Sequence, residues 1–143
     1  MPYKYLENIA MADIAFEASG KTLDELLESS ALAITNTMVK DLKKIENIQK
    51  KEIKVEAENP EFLLHKFLEE IVFLKDAEKL LFGKFNVRTE KKGKKMIATI
   101  QAWGEKLNMK KHELLDDIKA VTWHDFKVQK TGKEWKALVI LDV

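Results

Sequence analysis

Cysteine is missing from all 143 residues, so neither a disulfide nor a thiolate metal site can hold this fold. A reducing, cytoplasmic setting is the natural expectation. Proline occurs twice and glycine five times. That is too sparse for a flexible linker or a low-complexity segment. No apolar run reads as a membrane span or a signal-peptide core. Neither charge dominates: 25 basic side chains meet 24 acidic ones, for a net charge of +1. That balance argues against binding nucleic acid by bulk electrostatics, and no stable nucleic-acid partner is expected. What the chain does have is 45% hydrophobic and 34% charged residues, the composition of a soluble globular domain with a heavily charged surface. Its length fits one domain spanning residues 1–143.

The first strand is expected over Met11 to Ala18, where Ala12, Ile14, Phe16 and Ala18 alternate with Asp13, Ala15 and Glu17. Thr22 followed by Glu25 forms a capping box, and Leu23, Leu26, Leu27, Ala31 and Ile34 give the following helix one apolar stripe, predicted to run to Met38. Lys40 to Lys51 reads as a connection. Ile53, Val55 and Ala57 then alternate with charged neighbours, a strand with one wet face. Asn59-Pro60 starts a second helix, with Asn as cap and Pro at the first helical position. Beyond it, strands are predicted at Leu80 to Thr89 and at Met96 to Trp103, the latter ended by Gly104 and joined to the former by a turn at Lys92-Gly93-Lys94. Glu105 to Asp117 shows no period and reads as a long loop. Ile118 to Gln129 is strand-like, but its phase slips: Val121 and Trp123 lie on odd positions, Phe126 and Val128 on even ones. A bulge or tight turn near His124-Asp125 accounts for the slip. A turn at Thr131-Gly132 leads to a last strand, Trp135 to Val143. The economical architecture is α+β: two amphipathic helices packed on one face of a mostly antiparallel sheet, in a single two-layer domain.

No Gly-rich phosphate loop, nucleophile elbow or His pair at metal-binding helical spacing is present. His65, beside the stripe of the second helix, reads as a rim or surface residue. Asp13 sits among small apolar residues in a strand, where Asp is disfavoured. It is either an exposed Asp on an edge strand or a buried one that needs a cation or backbone partner. Asp142 poses the same alternative: a solvated tail, or a carboxylate that shares a cation with the free carboxylate of Val143. Such hard oxygen donors suit calcium or magnesium and not zinc. His112, Lys119, His124 and Asp125 fall in one loop-and-strand region. Lysines from Lys84 to Lys95 make a basic hairpin tip that reads as a solvated face.

Met11-Ala12-Asp13-Ile14-Ala15-Phe16-Glu17-Ala18 is followed by Gly20-Lys21-Thr22-Leu23, then by Asp76-Ala77-Glu78 after the second helix and by Ala102-Trp103-Gly104-Glu105. Lys111-His112-Glu113, then Ile118-Lys119-Ala120-Val121-Thr122-Trp123-His124, and the ending Val139-Ile140-Leu141-Asp142-Val143 come next. In order and spacing these stretches together resemble the archease family. Asn8 stands where the family commonly has His. The resemblance implies a small α+β protein that is not itself an enzyme. Its implied partner is the GTP-dependent tRNA-splicing RNA ligase: it would promote guanylylation of the ligase's active-site histidine, sustain multiple turnover in tRNA ligation and broaden the nucleotides accepted. The resemblance further implies that Asp13, Asp142 and Val143 bind a divalent ion, calcium first and magnesium or manganese as alternatives. Asp13, Lys119 and Asp142 would carry ligase activation, with His112 and His124 as further candidates. The rival readings are a metal-dependent phosphoester hydrolase, with the ion activating water, and a chaperone-like or RNA-binding module.

Overall fold

The computed structural model describes residues 2–6 and 13–143. The expected first strand therefore begins, as far as it is described, at Asp13. Asn8, Met11 and Ala12 lie outside the described residues. The elements in order are β1 (Tyr3–Leu6), β2 (Asp13–Gly20), α1 (Leu23–Met38), β3 (Gln49–Ala57), α2 (Pro60–Glu78), β4 (Leu80–Lys92), β5 (Lys95–Lys106), β6 (Ala120–Val121), β7 (Lys127–Thr131) and β8 (Glu134–Asp142).

Both helices start where their caps dictate. The Thr22 hydroxyl accepts the Glu25 N–H at 3.1 Å, and the Asn59 side chain accepts the Phe62 N–H at 2.8 Å. α2 keeps Asp76-Ala77-Glu78 inside its last turn, and Lys79 closes it in the left-handed region at φ 57°. Lys40 to Lys51 contains a single 3-10 turn over Leu42–Lys44, and β3 already begins at Gln49. Gly104 was expected to end a strand; it lies within β5 instead. A Cβ there would sit 1.8 Å from the Leu81 carbonyl oxygen, so this close approach, and not a turn, is what requires glycine.

All strand pairing is antiparallel, and the strands divide into two sheets. One runs β1-β2-β8-β6 with β7 also on β8, and the other runs β3-β5-β4. One continuous core joins them through the helices. Leu26, Leu27 and Ile34 of α1 and Leu64, Phe67 and Ile71 of α2 pack with Phe16 and Val139 of the first sheet and with Phe85 and Ile100 of the second.

β6 and β7 occupy one edge of β8 in succession. From Val121 to Lys127 the edge advances six residues while β8 advances three, from Leu141 to Leu138. Three residues therefore bulge out, and an odd number inverts the alternation of side chains. This is the physical basis of the phase slip. The Phe126 N–H closes the turn on the Trp123 carbonyl at 3.2 Å, and Asp125 takes φ 51°.

Candidate functional site

β2 and β8, the central pair of the larger sheet, align Asp13 directly opposite Asp142. Residues directly opposite in an antiparallel pair share a face, with Cβ atoms roughly 5 Å apart. Their neighbours Ile14 and Leu141 are also opposite one another, and Leu141, Val139 and Phe16 point into the helix-covered core. By strand alternation Asp13 and Asp142 leave the other face. On the far side of β8, Ala120 pairs with Asp142, and the Lys119 N–H donates to the Asp142 carbonyl at 2.8 Å.

Asp13, Asp142 and the Lys119 backbone thus meet at one end of the sheet, although about 130 residues separate the first two in sequence. The side chains divide. Lys119 borders a shallow pocket with Glu69, Val72 and Phe73 of α2, on the helix side. Val143 packs its side chain against the core on that same side. Two like charges facing each other across a ladder are destabilising unless a cation lies between them. A pair of carboxylate donors suits a hard divalent ion, which completes its shell with water and backbone oxygens. Among the described residues no group of three or more His, Cys, Asp or Glu side chains is gathered, so side chains supply two donors at this place.

The histidines go elsewhere. His112 is buried: its Nδ1 accepts the Asn108 N–H at 2.9 Å, which fixes the proton on Nε2, and Nε2 donates to Glu105 at 2.9 Å. Glu105 also receives the Glu46 N–H at 2.8 Å and Lys111 Nζ at 3.0 Å. Burial pushes the Glu105 carboxyl up, but Lys111, the Glu46 N–H and His112 outweigh it and bring the pKa down to about 2. This is a latch between the connection before β3, the end of β5 and the loop after it. His124 is exposed on the bulge, 3.4 Å from Asp125.

His65 is not a rim residue: it is 1% exposed. Its Nε2 donates to the Val121 carbonyl at 2.9 Å, and its ring stacks on Trp123 at 3.7 Å and 5°. Glu69 lies 3.1 Å from Nδ1 but out of line for a hydrogen bond. Phe62 and Phe126 each form a T-shaped pair with Trp123 at a centroid distance of 5.3 Å, and Trp123 keeps 54% of its surface exposed. The phase slip marked the bulge, but nothing in the sequence paired it with His65. Lys75, near the end of α2, is likewise buried and ion-paired with Asp76 and Asp117. Among the described residues no helix is long and apolar enough to cross a membrane.

The class is therefore a small α+β protein with an acidic pair at one end of its larger sheet. The archease protein family (MTH1598/TM1083) matches residues 3–143. A protein archease from Pyrococcus furiosus is 41% identical over 133 residues, covering 92% of this chain and 93% of the relative. One from Methanosarcina barkeri is 38% identical over 99% of this chain and 95% of its own. The solution structure of Methanobacterium thermoautotrophicum protein 1598 superposes with a TM-score of 0.87 at 32% identity, covering 99% of each chain. The chain belongs to the archease family. A Thermotoga maritima structure, described as an archease and possible chaperone, shares the fold, with a TM-score of 0.60 at 24% identity over 94% of this chain and 93% of that one.

Proposed function

We propose that this protein activates the GTP-dependent tRNA-splicing RNA ligase: it promotes guanylylation of the ligase's active-site histidine, sustains multiple turnover and broadens the nucleotides accepted. The observation that carries this reading is the pairing of Asp13 with Asp142, beside the backbone of Lys119, at one end of the larger sheet. These are the positions to which the resemblance assigns ligase activation. The ladder holds them rigidly, so the acidic end can be offered to another protein's active site without reorganisation.

In this proposal Asp13 and Asp142 hold a divalent ion, calcium or magnesium, with the Val143 backbone adjacent to complete the oxygen set. Such an ion supplies concentrated positive charge for nucleotide phosphates. Lys119, on the opposite face, contacts the ligase or its nucleotide. The protein performs no covalent step; it orients groups and places charge. A cytoplasmic location follows from the partner.

The test is guanylylation and RNA joining by the cognate ligase under multiple-turnover conditions, with and without this protein. Stimulation at substoichiometric amounts, lost in Asp13→Ala with the fold retained, is the expected result. No stimulation of a competent ligase would overturn the reading.

A further inference from the structure

We infer that the outer face of the three-stranded sheet is a contact surface for single-stranded RNA. Register and alternation define this face. Ile53, Phe85, Ile100 and Ala102 point into the core, so their neighbours in β3, β4 and β5 point out. Across the sheet the outward residues form rows: Lys50–Trp103–Lys84, Glu52–Gln101–Asn86, Lys54–Thr99–Arg88 and Glu56–Ile97–Glu90. Lys92 and Lys95 follow at the hairpin tip.

The half of the face around Trp103 is chemically unlike an ordinary solvated sheet. Opposite charges placed across neighbouring strands stabilise a sheet, so an all-cation pair of flanks gains nothing from cross-strand pairing. Here two rows carry a cation on each flank and no carboxylate, and within these three rows Glu52 is the only acid among four cations; Glu105, the next residue of β5 on this face, is held by Lys111, His112 and the Glu46 N–H. Lys50, Lys54, Lys84 and Arg88 are all exposed. Among the described residues none of the four forms an ion pair with a carboxylate; Lys84 lies 5.0 Å over the Trp103 ring instead. Since the whole chain has a net charge of +1, this concentration leaves the rest of the surface slightly acidic. The central strand presents a half-exposed indole, an amide and a hydroxyl, and Asn86 adds a second amide.

Phosphates suit the flanking cations, a base suits the Trp103 face, and the amides of Gln101 and Asn86 with the Thr99 hydroxyl offer donors and acceptors to base edges and the 2′-hydroxyl. Trp103 to Thr99 spans about 13 Å along β5. That accommodates two or three nucleotides, and the acidic row of Glu56 and Glu90 bounds the patch. So small a patch gives weak, salt-sensitive binding, which is consistent with a chain of near-neutral charge. It is independent of the ligase reading, because it requires only RNA and this protein.

The experiment is fluorescence anisotropy of an end-labelled eight-nucleotide single-stranded RNA of mixed sequence, titrated with the full chain. Raising salt from 50 to 200 mM should weaken binding about 50-fold, the effect of about four phosphate contacts on a single strand. Trp103→Ala should weaken it about 5- to 150-fold, the loss of one stacked base. Trp103→Phe should restore most of that loss, which separates stacking from misfolding. Lys84→Glu combined with Arg88→Glu should abolish binding, while Lys133→Glu, in the β7–β8 turn of the other sheet, should leave it unchanged. Absence of binding at 50 mM salt would overturn the inference. So would equal binding by the wild type and the Trp103→Ala or double charge variant, or equal affinity for DNA of the same sequence.

Discussion

Asp13 faces Asp142 across the β2–β8 ladder, one carboxylate directly opposite another. Without a cation this pair opposes the fold by a few tenths to about 1 kcal/mol. Asp13→Asn or Asp142→Asn should therefore melt slightly higher than the wild type in chelator. Addition of calcium should raise the melting temperature of the wild type through binding to the native state, and should leave both variants unmoved. Thermal unfolding with and without the ion checks this. An equal calcium shift in all three proteins would place the ion elsewhere.

Gly104 has no room for a methyl group, because the Leu81 carbonyl oxygen would lie 1.8 Å from its Cβ. The neighbouring register shift between Phe82 and Lys84 means that β4 is already irregular here. Gly104→Ala must push β4 away from β5 or tilt that peptide, and should cost about 3 kcal/mol or more, at the high end for single substitutions. Gly132→Ala, at an open hairpin turn with φ 64°, has nothing within 4 Å of its Cβ and should cost about 1 kcal/mol through backbone strain alone. Urea denaturation of the two variants would reverse this argument if Gly132→Ala were the more damaging.

Glu105 makes stability depend on acid. Its folded pKa, about 2, lies below the ordinary 4.5, so it is the charged form that the fold prefers. The stabilisation is complete above about pH 4.5 and is lost as pH falls toward 2. Glu105→Gln should unfold more readily than the wild type at pH 7, and the gap should shrink as denaturation is repeated from pH 5 down to pH 2.5. A gap that stayed constant over that range would mean that the carboxylate charge contributes nothing.

Local patterns were enough to place most elements. The Thr22 and Asn59 caps, the helix stripes, the alternation around Ile53 and the phase slip near His124-Asp125 all rest on neighbours in the chain, so the chain itself displays them. What could not be read depends on partners far away in sequence. His65 looks peripheral on its helix because the groups that bury it, Val121 and Trp123, arrive more than fifty residues later. Lys75 looks like an ordinary helix-end cation until Asp117 closes over it. One sheet was expected and two are present, because strand patterns fix which face is apolar but not which strands pair. Asp13 and Asp142 each showed an anomaly of its own, an Asp among apolar strand residues. Only the resemblance joined them before the β2–β8 register did so in space.

Lys119 shares its backbone with the acidic end but not its side-chain direction, since its N–H holds the Asp142 carbonyl at 2.8 Å while the residue borders Glu69, Val72 and Phe73. Substitution at Lys119 leaves that backbone bond in place. Lys119→Ala should therefore keep divalent-ion affinity within about twofold of the wild type, a change below about 0.4 kcal/mol. The same substitution should reduce ligase stimulation at least tenfold, a loss of about 1.4 kcal/mol at a contact made only with the partner. Asp13→Asn should reduce both together. Calorimetric titration of the ion alongside the guanylylation rate separates the two effects. Parallel loss of ion binding in Lys119→Ala would mean that its ammonium and the carboxylates form one site despite leaving opposite faces of the sheet.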